Sequence, residues 1–186
     1  MQTSINLANN FYAALAYTQQ MRDKYLTSFY KKYSLDGRYV FIEKSACSTM
    51  LQKELAVDTI FQSRKSGSLC IEEKIERKYT GNFALETESC TKPGHERGGW
   101  MRYAEADYLL YAFAVSTGLD VYLIDFPKLR SWFWDSEERL PLRFRPHVMD
   151  THNRTLIKIV PIEDVKQEVG YLRYLCTEEM CMRVSA

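Results

Sequence analysis

The stretch VDTIFQSRKSGSLCIEEKIER (57–77) contains two strand patterns joined by a turn. Apolar and β-branched residues dominate LAVDTIF (55–61), and apolar and charged side chains are interleaved in SLCIEEKIER (68–77). Between them, RKSG (64–67) is charged and ends in glycine, which is typical of a hairpin turn. The sequence therefore predicts two antiparallel strands that are neighbours in a sheet.

Charged residues lie inside both predicted strands. Alternation along the second strand places Cys70, Glu72 and Lys74 on one face. In the first strand, Asp58 is surrounded by apolar residues. Because a tight turn makes the strands antiparallel, we expect Asp58 to approach Glu72 across the pair.

Two carboxylates that face one point can hold a hard divalent cation such as Mg²⁺ or Mn²⁺. Such an ion polarises a phosphoryl oxygen and lowers the pKa of a bound water. Lys74 could orient that water or stabilise the developing negative charge. The alternative is that Asp58, Glu72 and Lys74 are solvent-facing residues of an antiparallel sheet.

The rest of the chain predicts a mixed α/β fold. The sequence contains no internal repeat and no obvious linker. We therefore expect a single domain over 1–186. The further predicted strands are 38–44, 82–89, 121–126 and 155–162, and the predicted helices are 5–34, 103–116, 128–134 and 163–175.

Composition excludes some classes of protein. The chain has 186 residues, of which 46% are hydrophobic, and its net charge of +1 excludes a globally basic nucleic-acid binder. Its five cysteines are odd in number and irregularly spaced, and MQTSINLANN (1–10) lacks the pattern of a signal peptide. The longest apolar stretches are too short to span a bilayer. We therefore expect a cytoplasmic protein in a reducing compartment, with no membrane partner.

The hairpin and the segments after it resemble the PD-(D/E)xK nuclease superfamily, in particular a phage and bacterial branch. The resemblance runs over about residues 50–165 and includes NFALETES (82–89), GGWMRYAEADYLLYAF (98–113) and VYLIDFPKLRSWF (121–133). It implies a restriction-endonuclease-like fold, which is a central mixed sheet flanked by helices. Its catalytic core would cover about 38–165.

The resemblance also implies site residues and a cofactor. The family's metal-binding acid corresponds to Asp58, its second acid to Glu72 and its lysine to Lys74, with Mg²⁺ or Mn²⁺ as the metal. The residue before Asp58 is Val57 rather than the proline of the motif, which many active members also lack. Some members carry a further Glu in the first helix, whereas residues 5–34 contain none, and Glu43 or Glu54 could replace it.

Further acidic and basic residues complete the predicted site. Glu86 and Glu88 are two apart in a predicted strand and could supply another carboxylate, or could belong to a polar sheet face. Basic side chains cluster in the turns and loops, where they could contact DNA phosphates or be ordinary surface charges. The candidate DNA-binding residues are Arg64, Lys65, Arg77, Lys78, Lys92, Arg97 and Arg102.

The sequence thus predicts a metal-dependent endonuclease or exonuclease that hydrolyses DNA phosphodiester bonds. The alternative is a non-catalytic factor of phage type, built on the same fold, that binds DNA or a host protein. A second copy of the chain and a host or phage protein are further candidate partners. The thirteen tyrosines, a residue type common at interfaces, slightly favour the binding factor.

Overall fold

The computed structural model describes residues 13, 16–27, 29–30, 39–42, 55, 57–63, 67–146 and 154–184. Helix α1 comprises the helical residues among 13–30 and contains a π-helical turn, Arg22–Leu26. The later helices are α2 (Trp100–Tyr103), α3 (Phe126–Ser136) and α4 (Ile162–Glu168), and a 3-10 turn, Glu137–Arg139, follows α3. The strands are β1 (Tyr39–Ile42), β2 (Thr59–Ser63), β3 (Gly67–Glu76), β4 (Asn82–Cys90), β5 (Arg97–Gly98), β6 (Tyr108–Val115), β7 (Gly118–Asp125), β8 (Leu142–Pro146), β9 (Arg154–Pro161), β10 (Leu172–Cys176) and β11 (Cys181–Val184).

The strands form two sheets within the described part of the chain. The main sheet has the order β1-β2-β3-β6-β7-β10-β11. Its neighbouring strands are antiparallel except β3 and β6, which are parallel, so the sheet is mixed as predicted. The second sheet is antiparallel and has the order β5-β4-β9-β8.

Each face of the main sheet is buried against a different layer. On one face, Leu26 and Phe29 of α1 share a buried cluster with Leu110 and Val121. On the other face, the second sheet and helices α2, α3 and α4 contribute to a larger apolar cluster, in which the Phe83 ring of β4 lies 4.9 Å from that of Tyr111. Helices therefore flank the main sheet, but a second sheet covers much of one face.

The predicted helix over 103–116 is wrong, because Tyr108–Val115 forms strand β6. This strand lies at the centre of the main sheet between β3 and β7, and both of its faces are buried. Its residues are consequently apolar on both sides, and a short, continuous apolar run cannot be distinguished from a helix by periodicity.

The predicted C-terminal helix over 163–175 is wrong beyond α4. The helix ends at Glu168, and Gly170 has a φ of +82° and donates its N–H to the Val165 carbonyl oxygen at 2.8 Å. Glycine just after a helix commonly takes this left-handed conformation, which stops the helix. The chain then turns into β10, which pairs with β7.

The other predicted elements correspond to elements of the structure where it describes them, but Asp58, which was predicted inside a strand, lies just before β2. The strands predicted at 38–44, 55–61, 68–77, 82–89, 121–126 and 155–162 correspond to β1, β2, β3, β4, β7 and β9. The short helix predicted after Pro127 corresponds to α3, whose first turn is capped by Asp125, which accepts the Lys128 N–H at 2.9 Å. The predicted helix over 5–34 is confirmed only at its described residues, and the others lie outside them.

Candidate functional site

Asp58 and Glu72 approach each other across the β2–β3 pair, as the sequence predicts. The register pairs Thr59 with Ile71, so its continuation brings Asp58 opposite Glu72. Asp58 donates its N–H to the Ile71 carbonyl oxygen at 2.9 Å, and its Oδ2 accepts the Glu73 N–H at 3.0 Å. The Asp58 carboxylate also lies within hydrogen-bonding range of the Glu72 carboxyl group.

Lys74 completes this group. Its Nζ lies 2.6 Å from Oε1 of Glu72 and 5.1 Å from the centre of the Trp100 ring. The Glu72 side chain is 4% exposed, whereas that of Lys74 is 34% exposed. The acid is therefore buried, whereas the lysine side chain is partly exposed.

Burial has a strong electrostatic effect on this group. It raises the pKa of Glu72 to about 8, and Asp58 adds to the rise although Lys74 opposes it. Burial by itself would lower the pKa of Lys74, but Glu72 and Asp58 raise it above its usual value. At neutral pH Glu72 therefore retains its proton beside Asp58 and the charged Lys74.

Glu86 of the second sheet lies close enough to this site for its charge to act on it, whereas Glu88 is paired with Arg102. The charge of Glu86 acts on Lys74 and on Tyr103. Its backbone lies against Gly99, where a Cβ atom would be 2.4 Å from the Glu86 carbonyl oxygen. A register shift in the β4–β9 pair separates Glu86 from Glu88, and the Glu88 carboxylate binds Arg102 at 2.7 Å. The other candidate acids, Glu43 and Glu54, lie outside the described residues.

Tyr103 is a site residue that the sequence analysis did not identify. It is partly buried at the end of α2, and burial raises the pKa of its phenol, with Glu86 adding to the rise. The same short helix carries Trp100, which packs against Lys74. The available signal was the GGWMRY segment (98–103), since Gly99 permits the close approach to Glu86.

The structure describes five of the candidate DNA-binding residues, all of them exposed, and three of these are Lys78, Lys92 and Arg97. Arg97 lies close enough to Tyr103 to oppose the rise of its pKa. Two other candidates, Arg64 and Lys65, lie outside the described residues.

The remaining two candidates make contacts within the protein. Arg77 donates to the Ala13 carbonyl oxygen at 3.2 Å and stacks on Tyr17. Arg102 binds Glu88 and stacks on Trp134, with its guanidinium carbon 5.0 Å from the ring centre. Both side chains are thus partly engaged by their own chain.

A second buried polar group lies on the opposite face of β3. Glu73 accepts hydrogen bonds from Arg22 Nε at 2.8 Å, from the Tyr30 hydroxyl at 2.6 Å and from the Thr59 hydroxyl. Arg22 Nη2 also donates to Thr59 Oγ1 at 3.0 Å. The sequence analysis missed this network because a helical stripe that contains an arginine does not indicate where its charged partner lies.

Among the described residues, no three His, Cys, Asp or Glu side chains are grouped so that they could hold a metal ion. The site therefore offers a pair of carboxylates rather than a complete protein cage. In the same part of the chain, every helix is too short or too polar to cross a membrane.

Comparisons of the chain with family models, with curated proteins and with solved structures find no match.

Proposed function

We propose that the chain is a Mg²⁺- or Mn²⁺-dependent nuclease of the PD-(D/E)xK type that hydrolyses DNA phosphodiester bonds. The observation that carries this proposal is the convergence of Asp58, Glu72 and Lys74 at one place on the main sheet. A central mixed sheet, which the resemblance implies for a restriction-endonuclease-like fold, also supports it.

The residues at this place fit a hard divalent cation. Asp58 and Glu72 offer carboxylate oxygens, the donors that Mg²⁺ and Mn²⁺ prefer, and Mg²⁺ commonly uses only one or two carboxylates, with water and phosphate as its other ligands. The pKa of about 8 shows that Glu72 retains a proton beside Asp58. A cation bound there would compete with that proton, since a carboxylate ligand must be deprotonated.

Each residue has a distinct part in the proposed hydrolysis. Asp58 and Glu72 would hold the cation, which when bound supplies a polarised phosphoryl oxygen and a water of lowered pKa. The Lys74 ammonium, fixed between Glu72 and the Trp100 ring, would donate to the attacking water or to the charge that develops on phosphate. Arg97, exposed near Tyr103, would contact the DNA backbone.

Cleavage assays on duplex, single-stranded and branched DNA, with Mg²⁺, with Mn²⁺ and with a chelator, test this function. We expect cleavage that requires the metal and is lost in Asp58→Ala. The matched control is Glu163→Gln, which removes an exposed carboxylate on α4 and should leave cleavage unchanged. Absence of cleavage of all three DNA forms with both metals would refute the proposal.

Lys74→Ala separates binding from chemistry. Because the proposed role of Lys74 lies in the transition state, this variant should still bind Mn²⁺ but lose about 100-fold or more in turnover. Isothermal titration with Mn²⁺ and single-turnover cleavage measure the two effects. Turnover within a few-fold of the wild type would exclude this role for Lys74.

A non-catalytic binding module is the second candidate function. It is favoured by the 2.6 Å contact between Lys74 Nζ and Glu72 Oε1, which gives the buried acid a partner without a metal. This function predicts that DNA binding, measured by fluorescence anisotropy, is independent of Mn²⁺ and unchanged in Asp58→Ala, with no cleavage. Metal-dependent cleavage by the wild type would exclude it.

A further inference from the structure

Helix α1 places a charged side chain behind the candidate site. Arg22 lies in the π-helical turn and is 8% exposed, and its partner Glu73 on β3 is also 8% exposed. Tyr30, from the same helix, donates to the second oxygen of Glu73. The contacts therefore join α1 to the strand that carries Glu72 and Lys74.

A buried ion pair contributes little net stability to the packing of a helix on a sheet. Removing two charges from water carries a large desolvation cost, and well-packed apolar residues of similar volume often give equal or greater stability. Nearby, Leu26 and Phe29 attach α1 to the sheet by apolar packing alone. Attachment of α1 to the sheet therefore does not by itself explain the polar contacts of Arg22 and Tyr30.

These contacts fall on the residues next to the site residues. Glu73 lies between Glu72 and Lys74 in the chain, and its N–H donates to the Asp58 carboxylate at 3.0 Å. Thr59 directly follows Asp58, and its hydroxyl bonds to both Arg22 and Glu73. The network thus bonds β2 to β3 one residue away from the point where the two carboxylates meet.

We propose that α1 positions the candidate site from the opposite face of the sheet, with Arg22 and Tyr30 as positioning residues that act through Glu73 and Thr59. The inference rests on the proposed function, because it assigns the network to the spacing of a metal-binding pair. In fixing β2 against β3, the network sets the separation of Asp58 and Glu72. Residues that orient metal ligands commonly change metal affinity 10- to 100-fold when they are replaced.

The test measures Mn²⁺ affinity by isothermal titration, well below the melting temperature of each variant. Tyr30→Phe removes one hydrogen bond to Glu73, and Arg22→Met removes the ion pair while it keeps an apolar chain. Each should weaken Mn²⁺ binding about 10-fold or more, and Arg22→Lys, which can still reach Glu73, should give an intermediate loss.

Leu26→Ala is the matched control on the same helix. Leu26 is buried against the same sheet face but makes no polar contact with Glu73, so this variant should lower the melting temperature and leave Mn²⁺ affinity within twofold. If Leu26→Ala weakened binding as much as Tyr30→Phe, the effect would be general loosening, and the proposal would be wrong. Wild-type affinity in folded Tyr30→Phe and Arg22→Lys would also overturn it.

A readout without metal separates this inference from the nuclease proposal. The amide of Glu73 donates to Asp58, so the NMR scalar coupling across this hydrogen bond, which depends on the length of the bond, reports the spacing of β2 and β3 there. If the wild type bound no Mn²⁺, the proposed function would fail. A smaller coupling in Arg22→Met and Tyr30→Phe, but not in Leu26→Ala, would then still support positioning. An unchanged coupling would refute positioning independently.

Discussion

The buried acid Glu72 makes the stability of the metal-free protein depend on pH. Its pKa is raised from 4.5 in the unfolded chain to about 8 in the folded protein, mainly by burial. The folded state therefore keeps a proton that the unfolded chain releases. This stabilisation is complete below about pH 4.5 and is lost as the pH rises through about 8.

The size of the effect follows from the two pKa values. A shift of one unit corresponds to about 1.4 kcal/mol, so the whole window from pH 4.5 to above 8 changes the free energy of unfolding by about 5 kcal/mol. Between pH 6 and pH 9 the same relation gives a loss of about 3 kcal/mol. Because the Glu72 side chain is 4% exposed, solvent screens little of this effect.

Urea unfolding of the wild type and of Glu72→Gln, at pH 6 and at pH 9 with a reductant and a chelator, measures this quantity. Glutamine resembles the protonated acid and does not titrate, so the two proteins should be similarly stable at pH 6. At pH 9 the variant should be more stable by about 3 kcal/mol. Comparing the two proteins cancels the titration of all other groups, and Glu163→Gln, at an exposed position, should follow the wild type. A difference that stayed constant with pH would show that Glu72 does not hold this proton.

Three further predictions concern the site and the core. Leu110→Ala should cost about 2–5 kcal/mol in urea unfolding, since Leu110 is fully buried in β6, and a loss well below 1 kcal/mol would contradict this packing. Gly99→Ala should lower the melting temperature, because its Cβ would lie 2.4 Å from the Glu86 carbonyl oxygen, and an unchanged melting temperature would exclude that close approach. Saturating Mn²⁺ should raise the melting temperature of the wild type but not of Asp58→Asn, which lacks one of the two metal-binding carboxylates. Equal responses of the two proteins to Mn²⁺ would show that these residues are not a metal site.

The proximity of Asp58 and Glu72 was predictable because it depends on local structure. A tight turn between two strands determines their antiparallel pairing, and strand alternation then determines which side chains share a face. The same reasoning placed Glu72 and Lys74 on one face of the strand and Glu73 on the other. The structure confirms this, because Glu73 contacts α1. These predictions needed only the periodicity of a strand and the residues of a turn.

The surroundings of the site could not be predicted in this way. Glu86 and Tyr103 lie near enough to Lys74 to interact with its charge because the second sheet packs against the main sheet, and no short-range pattern encodes that packing. The parallel partner of β3 was also missed, since β6 is buried on both faces and its apolar run resembles a buried helix.

The amino-acid sequence by itself determined the β2–β3 hairpin, the shared face of Glu72 and Lys74, and the approach of Asp58, because each follows from contacts between residues close in the chain. Tertiary structure alone decided that Glu72 is buried, and with it the pKa of about 8. It also decided that Glu73 forms an ion pair with Arg22 of α1, which lies 51 residues earlier in the chain. Burial and long-range ion pairs depend on which layers cover each face of the sheet, and that arrangement results from the packing of the whole chain.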